Sequence, residues 1–154
     1  MTSTADTITT VSPAGTERQA VDGRNGELAQ ILVRWLEDAV RPEDLLAADA
    51  FGDLTFPQWR IQTRTADELF AVREGAGHLG DHDIRVERLD PTGSGFLLQF
   101  EERWTSGGQR WYAREMIHAV VEDGLVAELI LYCTGDWDEE TQRRHAAEVT
   151  LPRP

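Results

Sequence analysis

The sequence predicts an α+β fold: a curved antiparallel sheet with helices packed on one of its faces. Three observations carry this. An amphipathic helical pattern stands early in the chain, a second helix opens on a capping box, and the stretch from Phe96 to Asp138 reads as three alternating runs joined by two Gly-containing turns. Helices that precede an antiparallel sheet pack on one of its faces, which gives a layered α+β domain. The chain of 154 residues is long enough for one core, and it divides into a flexible leader, 1–22, and a domain over 23–150.

The leader, MTSTADTITTVSPAGTERQAVD, is small and polar with no sustained period, so nothing in it can bury a face. Leu28, Ile31, Leu32, Trp35, Leu36 and Ala39 then recur at helical spacing; Asn25 can cap the start and Arg41-Pro42 ends the run. Pro42 suits the first position of a short second helix reaching about Ala48. A run from Leu54 to Thr63 reads as a strand, with Pro57 placing it at an edge or a bulge. Thr65-Ala66-Asp67-Glu68 has capping-box spacing and opens a helix to Glu74, which Gly75 stops.

Gly77 to Asp83 reads as a surface loop. Its His78 and His82 stand four apart beside Asp81 and Asp83, a spacing that holds a metal on a helix, but Gly77 and Gly80 argue against one. No metal site is expected. Ile84, Val86 and Leu89 mark a strand, and residues 91–95 turn the chain into the three long runs. A short polar helix is expected from Asp138 to Ala147.

Ser106-Gly107-Gly108-Gln109 closes the first hairpin and Asp123-Gly124 the second. Counting outward from these turns sets Trp104 opposite Trp111, Phe100 opposite Glu115, and Glu115 opposite Tyr132. Side chains alternate across a strand, so one face collects Phe96, Leu98, Phe100, Glu102, Trp104, Ala113, Glu115, Ile117, Tyr132 and Thr134. That face is aromatic and apolar with two carboxylates set into it, the look of a pocket for a hydrophobic small molecule. The other face pairs Glu101 with Arg114 and Arg103 with Tyr112. It also carries Leu97, Met116, His118, Leu129, Leu131 and Cys133, which are too apolar for open water and point to a homodimer.

Composition excludes several classes. The formal net charge is -13, which disfavours nucleic acid and anionic membranes. All fifteen basic residues are Arg, so no Lys is present for a Schiff base or a phosphate loop; this usage also suggests a GC-rich bacterial genome. The single Cys133 permits no internal disulfide, and no apolar run reaches the length of a membrane span. A cytoplasmic protein working without a cofactor is the expectation.

Glu102 and Glu115 are diagonal neighbours on adjacent strands, roughly 7–8 Å apart at the backbone. Two carboxyls in an apolar wall raise each other's pKa, leaving one protonated as an acid while the other serves as a base. Tyr132 would donate to Glu115 or to a developing oxyanion. These three are the candidate catalytic residues. The bland alternative makes Glu102 a rim carboxylate paired with an Arg, and Glu115 a satisfied buried polar group. Trp59, Trp104, Trp111, Phe100, Ile117, Thr134 and Asp136 are the candidate substrate-binding residues, although the Trp104–Trp111 pair also reads as a hairpin staple.

The opening amphipathic helix, the Asp49-Ala50-Phe51 lead-in and the run VVEDGLVAELILY resemble the nuclear transport factor 2-like superfamily, and within it the SnoaL-like bacterial proteins. The resemblance covers about Gly26 to Asp138. It implies the cone-shaped pocket between helices and sheet, a homodimer, and one of several activities: isomerase, cyclase, dehydratase, epoxide hydrolase or a non-catalytic binder. The ketosteroid-isomerase pattern of a Tyr with two carboxylic acids is matched in residue type by Tyr132, Glu115 and Glu102. A cofactor-free enzyme moving protons on a polyketide-like or polycyclic metabolite is the expectation, with a binding or protein-interaction module as the alternative.

Overall fold

The computed structural model describes residues 19–77 and 81–154. Most of the leader, and His78, lie outside that range. Nine elements follow in order: α1 (Gly23–Asp38), β1 (Leu46–Thr55), β2 (Arg60–Thr63), α2 (Ala66–Gly75), β3 (His82–Thr92), β4 (Gly95–Ser106), β5 (Gln109–Glu122), β6 (Leu125–Cys133) and α3 (Glu139–Glu148). The strands form one six-stranded sheet in the order β2-β1-β6-β5-β4-β3. Only β1 against β6 is parallel; every other pair is antiparallel.

Helix α1 buries Leu28, Ala29, Leu32, Trp35 and Leu36, the stripe its periodicity predicts. Its start lies earlier than Asn25, with Asp22 at the N-cap, and Ala39 ends it in the left-handed region at φ 56°. Arg24, in the first turn of α1, ties the start of the helix to the β5–β6 turn through Nε to the Gly124 carbonyl, 2.8 Å. Helix α2 opens on Thr65 as expected, its side chain accepting from the Glu68 N–H at 3.2 Å. Arg41, just past α1, reaches Glu74 at 2.5 Å and Asp67 at 3.2 Å, pinning the two helices to each other.

Two expectations between the helices fail. Residues 42–48 do not form a second helix, because β1 already begins at Leu46 and pairs with Val126 on β6. The run from Leu54 to Thr63 is also not one strand. It folds back at Phe56–Trp59, and Pro57 sits in that turn, where it needs no ladder N–H.

The core lies on the helix-covered face of the sheet, where Phe96, Leu98, Phe100, Ile117 and Ala119 meet α1 and α2. Gly95 lets two backbones approach: a Cβ there would stand 2.0 Å from the Ala119 carbonyl oxygen. Gly95→Ala is therefore expected to cost about 1–3 kcal/mol or more, because the clash is with backbone rather than a side chain that can turn away. A melting temperature equal to that of the parent chain would contradict this.

Candidate active site

The β4–β5 register is the one counted from the first turn: Trp104 faces Trp111, Phe100 faces Glu115 and Glu102 faces Ala113. The β5–β6 register departs by one residue. Leu125 pairs with Glu122 as a two-residue turn requires, but Val120 then pairs with Glu128, and Glu115 faces Cys133 rather than Tyr132. Ala127 is the extra residue, and this bulge inverts the faces of the rest of β6.

The inversion removes Tyr132 from the site. It faces away from the helices, is 61% exposed, and lies beside Met116. Leu129, Leu131 and Cys133 turn inward in its place, so they cannot belong to an outer dimer face. Thr134 is exposed too, its hydroxyl accepting from the Arg114 N–H at 3.0 Å. Tyr132→Phe is expected to leave any turnover unchanged within about twofold, because among the described residues no hydrogen bond from its hydroxyl reaches the interior. A loss beyond tenfold, measured alongside the parent chain, would restore it to the site.

A cavity of about 190 Å³ opens between α1, α2 and the sheet. Its apolar wall includes Trp35, Leu36, Leu54, Ile117, Leu129 and Leu131. The polar lining is Arg73, Glu115, Cys133 and Asp136. Exposed Ala76 and Asp136 mark its mouth. A cavity near 150 Å³ holds one benzene ring, so this one accommodates about a single substituted ring and not a stack of fused rings.

Behind Glu115 lies a buried ionic cluster. Glu102 is 0% exposed, with Arg73 Nη2 at 2.7 Å and His82 Nε2 at 2.6 Å from the same carboxylate oxygen. Arg73 also donates to the Leu36 carbonyl at 2.5 Å, one of the unpaired carbonyls of α1's last turn. Glu115, 6% exposed, lies beside Glu102 and Cys133. Burial, followed by the negative charge of Glu102, pushes the Glu115 carboxyl up to about 8, and Arg73 offsets only part of this. Burial and the neighbouring Glu115 also push the Cys133 thiol well above its ordinary range, which makes it a poor nucleophile. Its surroundings thus favour the neutral form of Glu115, held beside a paired carboxylate.

Of the sequence-predicted residues, the structure brings Glu102, Glu115, Ile117 and Asp136 together and leaves the others elsewhere. Trp104 and Trp111 stack at 6.3 Å with 12° between planes, and Trp104 leans on His82. They close the Glu102 end of the sheet and do not line the cavity. Phe100 is fully buried in the core beneath the helices, and Trp59 is 74% exposed at the β1–β2 turn. Arg73 and His82 went unread in the sequence. Arg73 stands four residues after Leu69 on the buried face of α2, a spacing that signals its direction. His82 went unread because the stretch up to Asp83 reads as a loop, whereas β3 already begins at His82, which pairs with Trp104 and shares its face with Ile84. Among the described residues, no group of three or more His, Cys, Asp or Glu side chains is placed to hold a metal.

The order of elements, the sheet and the pocket between helices and sheet define the nuclear transport factor 2-like fold. Solved structures show the same. A nuclear transport factor 2-like protein from Anabaena variabilis superposes with a TM-score of 0.62 at 13% identity, over 77% of this chain and 96% of that one. A candidate SnoaL-like polyketide cyclase from Jannaschia sp. CCS1 gives 0.62 at 12%, over 89% and 100%. A candidate ketosteroid isomerase from Kribbella flavida gives 0.55 at 21%, over 84% and 92%. No protein-family model and no curated protein matches the chain. Among the described residues, no helix is long and apolar enough to cross a membrane.

Proposed function

We propose that this chain is a small enzyme that moves protons on a compact apolar metabolite, with Glu115 as its acid–base group. One observation carries the reading: buried Glu115 lines an apolar cavity while Glu102 behind it is charge-paired to Arg73. Buried groups with strongly displaced pKa values concentrate at reactive sites. The similarity to a candidate cyclase and a candidate isomerase is in keeping with this, at identities that bear on fold alone.

The chemistry follows from the protonation states. The Glu115 hydroxyl gives its proton to a substrate oxygen, either a carbonyl becoming an enol or a hydroxyl leaving as water. The carboxylate so formed lies near Arg73, whose positive charge favours it. It then takes a proton from a neighbouring carbon or hydroxyl of the same substrate, which restores Glu115 to its starting state. Isomerisation, cyclisation and dehydration all fit this cycle. The cavity's size restricts the reacting part to about one ring, so a polyketide-like substrate would enter by one end.

The test is the pH–rate profile with a panel of small cyclic ketones and β-hydroxy ketones. The acid form of Glu115 prevails below about 8, so turnover should hold to that pH and fall about tenfold per unit beyond it. A profile that rises through pH 8 would make Glu115 a base instead. Saturable binding without turnover across the panel would favour the non-catalytic module.

A homodimer remains part of the proposal, on a revised face. Met116, 39% exposed, and Tyr132 stand outward with half-buried Leu97 and Ile130. Sedimentation at micromolar concentration should give about twice the chain mass, and Met116→Glu should return it to one.

A further inference from the structure

We propose that the outer face of the sheet carries a second ligand site, a groove that takes a small organic oxyanion with a flat body. The proposal is independent of the chemistry assigned to Glu115. The groove, about 370 Å³, lies where α3 and residues 149–154 run over the outer face of β3, β4 and β5. It is on the side of the sheet opposite the cavity, because Glu101 and Glu102 are consecutive residues of one strand and point to opposite faces.

Its charge sets it apart from the rest of the chain. Arg85, Arg103, Arg114 and Arg153 line it against two side-chain carboxylates, Glu87 and Glu101, on a chain whose net charge is -13. Both carboxylates are already well supplied with donors. Glu101 accepts from the Tyr112 hydroxyl at 2.8 Å, Arg103 at 3.0 Å and Arg85 at 3.5 Å. Those partners hold its carboxyl below the usual range against the opposing effect of burial. Glu87 accepts from Arg114 at 2.6 Å and Gln99 at 2.8 Å. Each of these Arg–Glu contacts uses one guanidinium nitrogen, although the planar fork can donate along two edges. No ion pair to Arg153 forms among the described residues.

The floor and side wall suit a flat body. Trp137 stands 5.5 Å from Tyr112 and 5.1 Å from His145, ring centre to ring centre, and the Arg103 guanidinium lies 4.8 Å over the Tyr112 ring. The wall is held in place by backbone. Tyr112 and Trp137 exchange N–H to carbonyl bonds of 2.8 and 3.0 Å, and the Gln142 amide donates to the Trp137 and Arg110 carbonyls at 2.9 Å each. Guanidinium forks recognise carboxylate and phosphate alike, and an aromatic wall adds stacking area for a conjugated ring.

Calorimetric titration of the full chain with 2-naphthoate, 2-naphthyl phosphate and neutral 2-naphthol tests the site. One or both anions should bind at least tenfold more tightly than naphthol, and the tighter of the two identifies the headgroup. Raising the salt from 0.05 to 0.5 M should weaken the anion about tenfold. Arg103→Gln/Arg114→Gln should abolish binding, and Arg153→Gln should weaken it severalfold without touching the ladder, which covers the case in which the double variant does not fold. Arg60→Gln, whose arginine pairs with Asp53 at the other end of the sheet, should change nothing. Equal binding of naphthol, or anion binding indifferent to these arginines, overturns the proposal. So does a double variant that loses self-association when the parent chain shows no anion heat, since the groove then belongs to a second copy.

Discussion

Glu115→Gln should lower turnover by about 10²–10⁴-fold with little change in the affinity of a bound ligand. Gln keeps the size of the side chain and its capacity to donate and accept, but it has no proton to transfer. The same substitution carries a stability signature. In the folded chain burial and the charge of Glu102 push the Glu115 carboxyl up to about 8 from an ordinary value of 4.5. Its folded-state pKa is therefore raised, and the stabilising effect of the retained proton is fully present below about pH 4.5. It is lost progressively as pH rises through about 8, by an amount on the order of a few kcal/mol. Gln does not titrate. Melting curves of the two proteins should therefore converge or cross between pH 5 and 8, with the variant at least as stable at pH 8. Unchanged turnover in Glu115→Gln would falsify the catalytic role. Parallel melting curves across that pH window would show that the carboxyl is not held neutral.

Removing the cation behind the site should damage the fold itself. Arg73→Met deletes the 2.7 Å pair to Glu102 and the donor to the Leu36 carbonyl, leaving a fully buried carboxylate with His82 as its remaining close partner. Breaking one side of a buried pair costs about 3–5 kcal/mol, because the surviving charge stays desolvated. For a chain of this size that corresponds to a fall of roughly 10–15 °C in melting temperature. Adding Glu102→Gln to Arg73→Met should recover part of the loss, since the orphaned charge goes with it. That non-additivity separates an electrostatic role for Arg73 from plain packing. A single variant melting within about 2 °C of the parent chain would show that Glu102 simply takes up a proton when left alone.

Local signals on α2 were reliable because they act over three or four residues. Thr65 caps the helix, and Leu69 and Phe70 are buried, as the pattern from Thr65 to Glu74 requires. The same holds for the Trp104–Trp111 hairpin, where a tight turn and uninterrupted alternation set the register over the whole length of β4 and β5. Glu102 and Glu115 were therefore placed on one face by sequence alone, together with the apolar surroundings that raise the acidity question at all.

What the tertiary structure decided begins at two single-residue bulges. One at Ala127 turned Tyr132 outward and brought Leu129, Leu131 and Cys133 to the cavity; the other, at Glu87, brought Leu89 into the core on the same face as Ile84 although its parity differs. A bulge is one extra residue in a ladder, and neither Ala127 nor Glu87 carries a Gly or Pro to announce it, so alternation counted past it assigns every later side chain to the wrong face. Arg73 belongs to the same class of decision. Its helix and its direction on that helix are local properties, but its partner Glu102 lies 29 positions on, in a strand whose contact with α2 only the packed layers create. The chain's own pattern thus determined which residues could be acidic and buried. Long-range packing, which no spacing in the sequence encodes, decided which of them meet.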